Sequence, residues 1–148
     1  MYQFTARLGL VCGLLLALTQ FTFAADAEVK ERCPVCGMFT KEKSPTSFVV
    51  THHGQPAHFC SFSCAVAFHR KSPEVPMTAF AYGTGTPVDA EKAFYLIKSG
   101  KLAEEFKFAM PPVVVAFASR AEAEKAKERV KEGEILEGFS AVQKVYQK

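Results

Sequence analysis

Two pairs of closely spaced cysteines constrain this chain more than any other feature. The first pair is Cys33 and Cys36, separated by two residues, and the second is Cys60 and Cys64, separated by three. Each spacing can direct two sulfur atoms toward one point, and the combined pattern is close to that of zinc ribbons and treble clefs. The chain is therefore expected to fold so that the two pairs meet around a metal ion.

A methionine beside the first pair changes the expected metal. Met38 follows Cys36 and Gly37 directly. Thiolate and thioether sulfurs are soft ligands that select Cu(I), whereas zinc makes little use of a thioether. A lone methionine is more often core filler, but this one lies in a cysteine-rich turn that is too local for a deep core. We therefore expect Cu(I), with zinc at a four-cysteine site as the alternative.

Two residues outside these pairs are further candidate ligands. His58 alternates with Cys60 along a predicted strand, so the two side chains are expected on one face. Met110 precedes two prolines in the second half of the chain, and taken alone it would be assigned to the core. The predicted metal ligands are thus Cys36, Met38, Cys33, Cys60, Cys64, His58 and Met110.

The first 24 residues have the layout of a cleaved signal peptide. Arg7 supplies a positive charge, residues 8–18 are apolar, and Ala24 precedes Ala25 at a small-residue cleavage site. The apolar run is shorter than the roughly 20 residues that span a bilayer. Cys12 lies within this run without a convincing lipobox, so a lipid anchor is not expected. The sequence predicts export to the periplasm, and an uncleaved anchor is the alternative.

The remaining residues, 25–148, suffice for one small domain. Because Arg7 is the only charge removed, the net charge falls from +3 to +2. Such a nearly neutral chain does not favour nucleic acid as a partner. In an exported protein an even number of cysteines ordinarily forms disulfides, so disulfide pairing competes with metal binding for the four that remain.

The first half of the mature chain has the pattern strand, strand, helix, strand. Period-two alternation and turn residues predict the strands, and Ser61 or Ser63 is expected to cap the helix. These elements are predicted at residues 47–51, 57–60, 64–71 and 77–82, and a loop is predicted at residues 83–87.

The second half repeats the order and adds a terminal helix. Ser119 and Glu122 form a predicted capping box at the start of a charged helix. The predicted strands are residues 93–97, 113–117 and 134–137, and the predicted helices are residues 120–130 and 139–146. The expected fold class is α+β, with two small ββαβ-like modules at about 33–83 and 88–148.

Four motifs carry a family resemblance, and they cover nearly the whole mature chain in order. They are Cys-Pro-Val-Cys-Gly-Met at 33–38, Phe-Cys-Ser-Phe-Ser-Cys at 59–64, Val-Asp-Ala at 88–90 and Val-Ala-Phe-Ala at 115–118. Together they resemble the NosL family, the accessory proteins of nitrous oxide reductase. The first half alone is also similar to metal-binding domains of the YHS/TRASH type.

The resemblance to NosL implies a function. It implies a periplasmic Cu(I) chaperone, not an enzyme, that delivers copper to nitrous oxide reductase or to its assembly complex. It also implies two ββαβ modules, and it matches Cys36 and Met38 to a Cys-Gly-Met element and Met110 to a distal methionine. NosL proteins are commonly lipoproteins, so the resemblance implies peripheral membrane association, for which this chain has no persuasive lipobox.

Two other functions are open on the residues alone. A structural or sensory zinc module would use all four cysteines of the mature chain. A thiol–disulfide oxidoreductase is suggested because Cys33 and Cys36 have the redox spacing, although the expected preceding strand and following long helix are missing from the pattern.

Overall fold

A computed structural model of the chain describes residues 31–41, 43–107 and 109–147. The predicted signal peptide lies outside the described residues. No helix in the described part is both long enough and apolar enough to cross a membrane.

The first half of the described chain forms a four-stranded antiparallel sheet with one helix. Its elements are β1 (Phe48–His52), β2 (Gln55–Phe59), α1 (Phe62–His69), β3 (Met77–Phe80) and β4 (Pro87–Asp89). The strand order is β2-β1-β3-β4. His53 and Gly54 join β1 to β2 with positive φ angles of 51° and 76°, which is the backbone of a tight hairpin turn whose twist matches the strands.

The second half forms a three-stranded antiparallel sheet with three helices. Its elements are β5 (Phe94–Ile97), α2 (Gly100–Glu105), β6 (Val115–Phe117), α3 (Arg120–Val130), β7 (Glu134–Glu137) and α4 (Phe139–Tyr146). The strand order is β6-β5-β7. Two small antiparallel sheets with helices confirm the predicted α+β class.

The second half follows its local sequence signals closely. α3, β7 and α4 occupy the predicted residues, and the capping box of Ser119 and Glu122 is present. β6 begins at Val115, whereas the strand was predicted from residue 113. In the first half, α1 begins at Phe62 and not at Cys64, because Ser61 already holds the extended N-cap conformation. β4 was not predicted: it is a three-residue edge strand that begins at Pro87, a residue typical of loops and strand edges.

One strand joins the two halves through its alternating side chains. Tyr95 and Ile97 of β5 lie in the larger hydrophobic core together with Phe48 of β1, whereas Leu96 lies in a second core beneath α3. The buried Tyr95 hydroxyl donates to the Ala90 carbonyl at 2.8 Å, so its polar atom is satisfied. The larger core therefore supports the cysteine-bearing module from the second sheet.

Backbone hydrogen bonds also join the halves at β6. The Tyr82 N–H donates to the Ala116 carbonyl at 2.8 Å, and the Ala116 N–H donates to the Pro45 carbonyl at 2.9 Å. These bonds hold the chain segments before β1 and after β3 against the second sheet. They fix the position of the module that carries the cysteines.

Candidate metal centre

Residues 33–38 form a tight hairpin, which we call the knuckle. The Cys33 N–H donates to the Met38 carbonyl and the Gly37 N–H donates to the Cys33 carbonyl, both at 2.8 Å. Gly37 has a φ of 73°, a left-handed conformation that favours glycine. An antiparallel bridge between Arg32 and Phe39 closes the base of the hairpin. The Cys33–Cys36 spacing therefore belongs to a turn and not to the N-terminus of a helix, where redox cysteines gain a lowered pKa.

The second cysteine pair lies at the corner between β2 and α1. Cys60 follows the last residue of β2, and Cys64 lies in the first turn of α1. Cys60 is therefore outside both elements. A strand-to-helix corner, and not a single helical face, therefore brings both sulfurs to the knuckle.

The two pairs meet as the spacing predicts. The Sγ atoms of all four cysteines lie within 4.8 Å of one another. Cys36 and Cys60 have the shorter sulfur separation, 3.3 Å, and Cys60 and Cys64 are 3.8 Å apart. All four are free thiols, so none of these sulfurs is consumed by a disulfide. Four thiols at this separation can surround one thiophilic ion.

The cluster has an inner and an outer side. Cys33 and Cys64 are buried, with exposed fractions of 1% and 3%. Cys60 is half-buried and Cys36 is exposed. Cys36 lies at the tip of the knuckle, whereas Cys33 lies at its base and Cys64 in the first turn of α1. An ion held by all four would be open to solvent on one side.

The inner thiols differ in protonation. Burial opposes ionisation of Cys33, but backbone N–H groups of Cys60, Cys36 and Val35 outweigh it and lower its pKa to about 7. Burial raises the pKa of Cys64 to about 11, although the Ser61 hydroxyl acts in the opposite direction. Burial and the hydrogen bond with Cys36 raise the pKa of Cys60 further. Without metal, Cys33 is thus the thiol among these three that ionises near neutral pH.

The structure places His58 outside the converging group. Its Nε2 atom lies 3.0 Å from an Oε2 oxygen of Glu31, so one ring nitrogen is already engaged by a carboxylate. The His, Cys, Asp and Glu side chains that converge in the described part are the four cysteines. His58 stays a predicted ligand without geometric support.

The two methionines lie beside the cluster in different ways. Met38 is 41% exposed at the end of the knuckle. Met110 is half-buried and precedes Pro111, whose carbonyl accepts a hydrogen bond from the Ser63 hydroxyl at 3.1 Å. Because Ser63 lies between Cys60 and Cys64 in sequence, this bond brings the segment after Met110 to the start of α1. Both residues stay predicted ligands.

Two features of the site were missed in the sequence. Ser61 was assigned only as a helix cap, yet the Cys60 thiol donates to its hydroxyl at 3.9 Å, and that hydroxyl also acts on Cys64. Its position between the two cysteines was the available signal. A groove of about 300 Å³ also reaches Cys60, between Phe39 and Phe106. It joins segments far apart in sequence, so no local pattern indicated it.

Comparison with known proteins identifies the family. The NosL family model matches residues 24–145. A solved structure, that of the copper chaperone NosL from Shewanella denitrificans, matches with a TM-score of 0.53 and 20% identity, covering 72% of this chain and 86% of that one. At this identity the match shows the fold. No curated protein matches the sequence. Because the family model spans most of the chain, this protein belongs to the NosL family.

Proposed function

We propose that this protein is a chaperone that binds Cu(I) through its cysteine cluster and passes it to a copper enzyme. The proposal rests on the four sulfur atoms that lie within 4.8 Å of one another, because thiolates are the ligands that Cu(I) prefers. The role is binding and transfer of an ion, without catalysis.

The exposure of the cluster supports a carrier. A structural zinc site is closed by its ligands and surroundings, whereas here Cys36 is exposed at the tip of the knuckle. Met38 lies on the same hairpin and offers a thioether, which suits Cu(I) better than zinc. The NosL structure with the same fold is described as a copper chaperone, and this supports the same cargo here.

Nitrous oxide reductase is the proposed recipient, and the periplasm the proposed compartment. Both follow from the family and from the predicted signal peptide. The test is to delete the gene in a host that respires nitrous oxide and to measure the copper content of the purified reductase. A reductase that lacks copper in the deletion strain, and regains it when the wild-type gene is restored, is the expected result. A fully loaded reductase in the deletion strain would remove it as the client.

Copper binding itself is tested with a double substitution. Cys36→Ser combined with Met38→Leu is expected to weaken sharply the retention of Cu(I) against bathocuproine disulfonate, a coloured Cu(I) chelator. Met77→Leu is the matched control, because Met77 is buried in β3 and its replacement keeps an apolar side chain of similar size. Unchanged retention by the double variant would remove Cys36 and Met38 from the site.

A structural or sensory zinc site is the second candidate, and one observation favours it. Four sulfurs bound about 2.3 Å from a tetrahedral zinc ion stand about 3.8 Å apart. The Cys60–Cys64 separation has this value, and the Cys36–Cys60 separation is slightly shorter. Metal analysis of protein purified from the periplasm distinguishes the candidates. Copper that exchanges with a chelator supports the chaperone, whereas one zinc ion that resists replacement by copper supports the zinc module.

A further inference from the structure

The four thiols differ in how far each can move away from a bound ion. Cys33 lies at the base of the knuckle, where its N–H and carbonyl are both hydrogen-bonded within the hairpin. Cys64 is fixed by the first turn of α1. Both side chains are buried, so releasing either sulfur requires the hairpin or the helix to open. Cys36 is exposed at the tip of the knuckle and can rotate toward solvent without disturbing either element.

The surface around Cys36 is apolar. Among residues 31–41, 43–107 and 109–147, the large apolar side chains that are exposed are Val35 at 46%, Met38 at 41% and Phe39 at 54%. All three belong to the knuckle or adjoin it. The Arg32 guanidinium lies 4.1 Å from the centroid of the Phe39 ring, which holds that ring in place. A protein that covers this apolar surface is brought to the Cys36 side of the cluster.

We propose that Cys36 is the ligand that an acceptor replaces first, while Cys33 and Cys64 retain the ion until transfer. The inference rests on the proposed copper-carrier function and assigns an order to its ligands. A thiolate or thioether sulfur of the acceptor forms a bond to Cu(I), and the bond from Cu(I) to Cys36 Sγ breaks. The electron pair of the broken bond stays on Cys36 Sγ. Copper stays monovalent, so no electron is transferred.

The order of replacement has a kinetic consequence. If the Cys36 bond is already broken in the transition state of transfer, removing it destabilises only the loaded state. Transfer should then accelerate by the same factor by which the affinity falls. If the Cys64 bond is intact in that transition state, removing it destabilises the loaded state and the transition state by the same amount. The transfer rate should then stay near the wild-type value although the affinity falls.

The test measures both quantities on the full mature protein loaded with one Cu(I). The variants are Cys36→Ser and Cys64→Ser. The acceptor is bathocuproine disulfonate in large excess over the amount used to measure retention, so that it withdraws Cu(I) from every form, and the transfer rate is followed by stopped-flow absorbance. Faster transfer for Cys36→Ser alone is expected. Equal acceleration by both variants, or acceleration by Cys64→Ser alone, would overturn the order. If wild-type protein retains no Cu(I) against the chelator, the proposed function fails and the order fails with it.

A second measurement needs no variant, since Cys64→Ser replaces a buried residue and its fold is not assured. The copper-loaded wild-type protein is treated with limiting iodoacetamide, and the first alkylated cysteine is identified by mass spectrometry. Cys36 is expected first, because a ligand that leaves the ion easily is the one exposed to the reagent. First modification at Cys33, Cys60 or Cys64 would overturn the proposal even though copper binds.

Discussion

Two serines occupy the same position in the two halves of the molecule and behave differently. Ser119 precedes α3, its hydroxyl accepts from the Glu122 N–H at 3.3 Å, and the Glu122 carboxylate accepts from the Ser119 N–H at 3.3 Å. Ser61 precedes α1 in the same extended conformation, but its side chain makes no capping bond. Instead, its hydroxyl accepts from the Cys60 thiol. The Ser61 side chain therefore interacts with the sulfur cluster, whereas the Ser119 side chain stabilises the start of its own helix.

The first prediction tests whether the two halves unfold as separate domains or together as one domain. Phe48 of β1 packs against Phe139 of α4 and Tyr95 of β5, with ring centroids 5.5 Å and 6.3 Å apart. Phe48→Ala should therefore lower the free energy of unfolding by about 3–5 kcal/mol. Urea unfolding followed by circular dichroism should show a single transition in both proteins, and in the variant the whole transition should shift to lower urea concentration.

The control for this change is Phe39→Ala, since Phe39 is the same residue type in an exposed position directly after the knuckle. It should alter the free energy of unfolding by less than about 1 kcal/mol, mainly through the lost contact with the Arg32 guanidinium. Two separate transitions in the wild-type protein, with only one sensitive to Phe48→Ala, would mean that the halves fold independently.

The second prediction concerns the protons of the thiol cluster. The pKa of Cys64 is raised to about 11 and that of Cys60 is raised as well, so both are protonated at neutral pH without metal. Cu(I) binding to their thiolates must release these two protons, and affinity therefore rises with pH by at least about a hundredfold per unit around neutrality. Cys33, whose pKa is lowered to about 7, adds to this slope only as the pH falls below that value.

Titration of Cu(I) affinity against a chelator at several pH values measures this slope. Proton release into a weakly buffered indicator solution measures it independently. An affinity that does not change with pH would mean that Cys60 and Cys64 bind no metal or bind it as neutral thiols.

The third prediction tests the serine comparison directly. Ser119→Ala removes a complete capping box and should lower the free energy of unfolding by about 1 kcal/mol. Ser61→Ala removes no capping bond, so its effect on α1 should be smaller. Removing its hydroxyl should instead raise the pKa of Cys64 above its present value of about 11, because that hydroxyl favours the thiolate.

Chemical denaturation of both variants gives the stability difference, and the ultraviolet absorbance of thiolates during alkaline titration gives the pKa. If Ser61→Ala destabilises the protein as much as Ser119→Ala and leaves the thiol titration unchanged, the two serines have the same role and the comparison fails.

The sequence predicted the second half better than the first, for a physical reason. Around α3 and β7 the local signals agree with the tertiary structure, since the capping box and the strand alternation each act within a few residues. At α1 the local cap signal competed with a cluster assembled across 24 residues of chain, from Cys36 to Cys60. Local sequence rules do not predict whether the Ser61 side chain caps the helix or interacts with the cysteines.

The site itself was predictable only in part. The spacing of the cysteines predicted that two pairs meet, and the structure brings those sulfurs together. The strand alternation placed His58 with Cys60, but the carboxylate of Glu31 lies against His58 through folding of the chain before the knuckle. The inner and outer sides of the cluster depend on burial, which follows from the whole fold and not from any spacing.

The smallest predicted effect concerns an ion pair on the surface of the second half. Glu105 at the end of α2 accepts from the Tyr82 hydroxyl at 2.9 Å and from the Arg129 guanidinium at 2.6 Å. The hydrogen bond from Arg129 outweighs the partial burial and lowers the pKa of Glu105. Since solvent screens this pair, Glu105→Gln should cost only about 0.2–1 kcal/mol at neutral pH.

The sign of the pH dependence distinguishes this cause from lost packing. A carboxyl whose folded-state pKa is lowered stabilises the fold above its ordinary pKa of 4.5, and this stabilisation is lost as the pH falls through the lower folded-state value. Urea midpoints of the wild type and Glu105→Gln should therefore differ at neutral pH and converge in acid, once the pH lies below the folded-state pKa of Glu105. The neighbouring exposed residue supplies the control, Glu104→Gln, which should match the wild type at both pH values. A difference that persists unchanged in acid would assign the effect of Glu105 to lost packing and not to its charge.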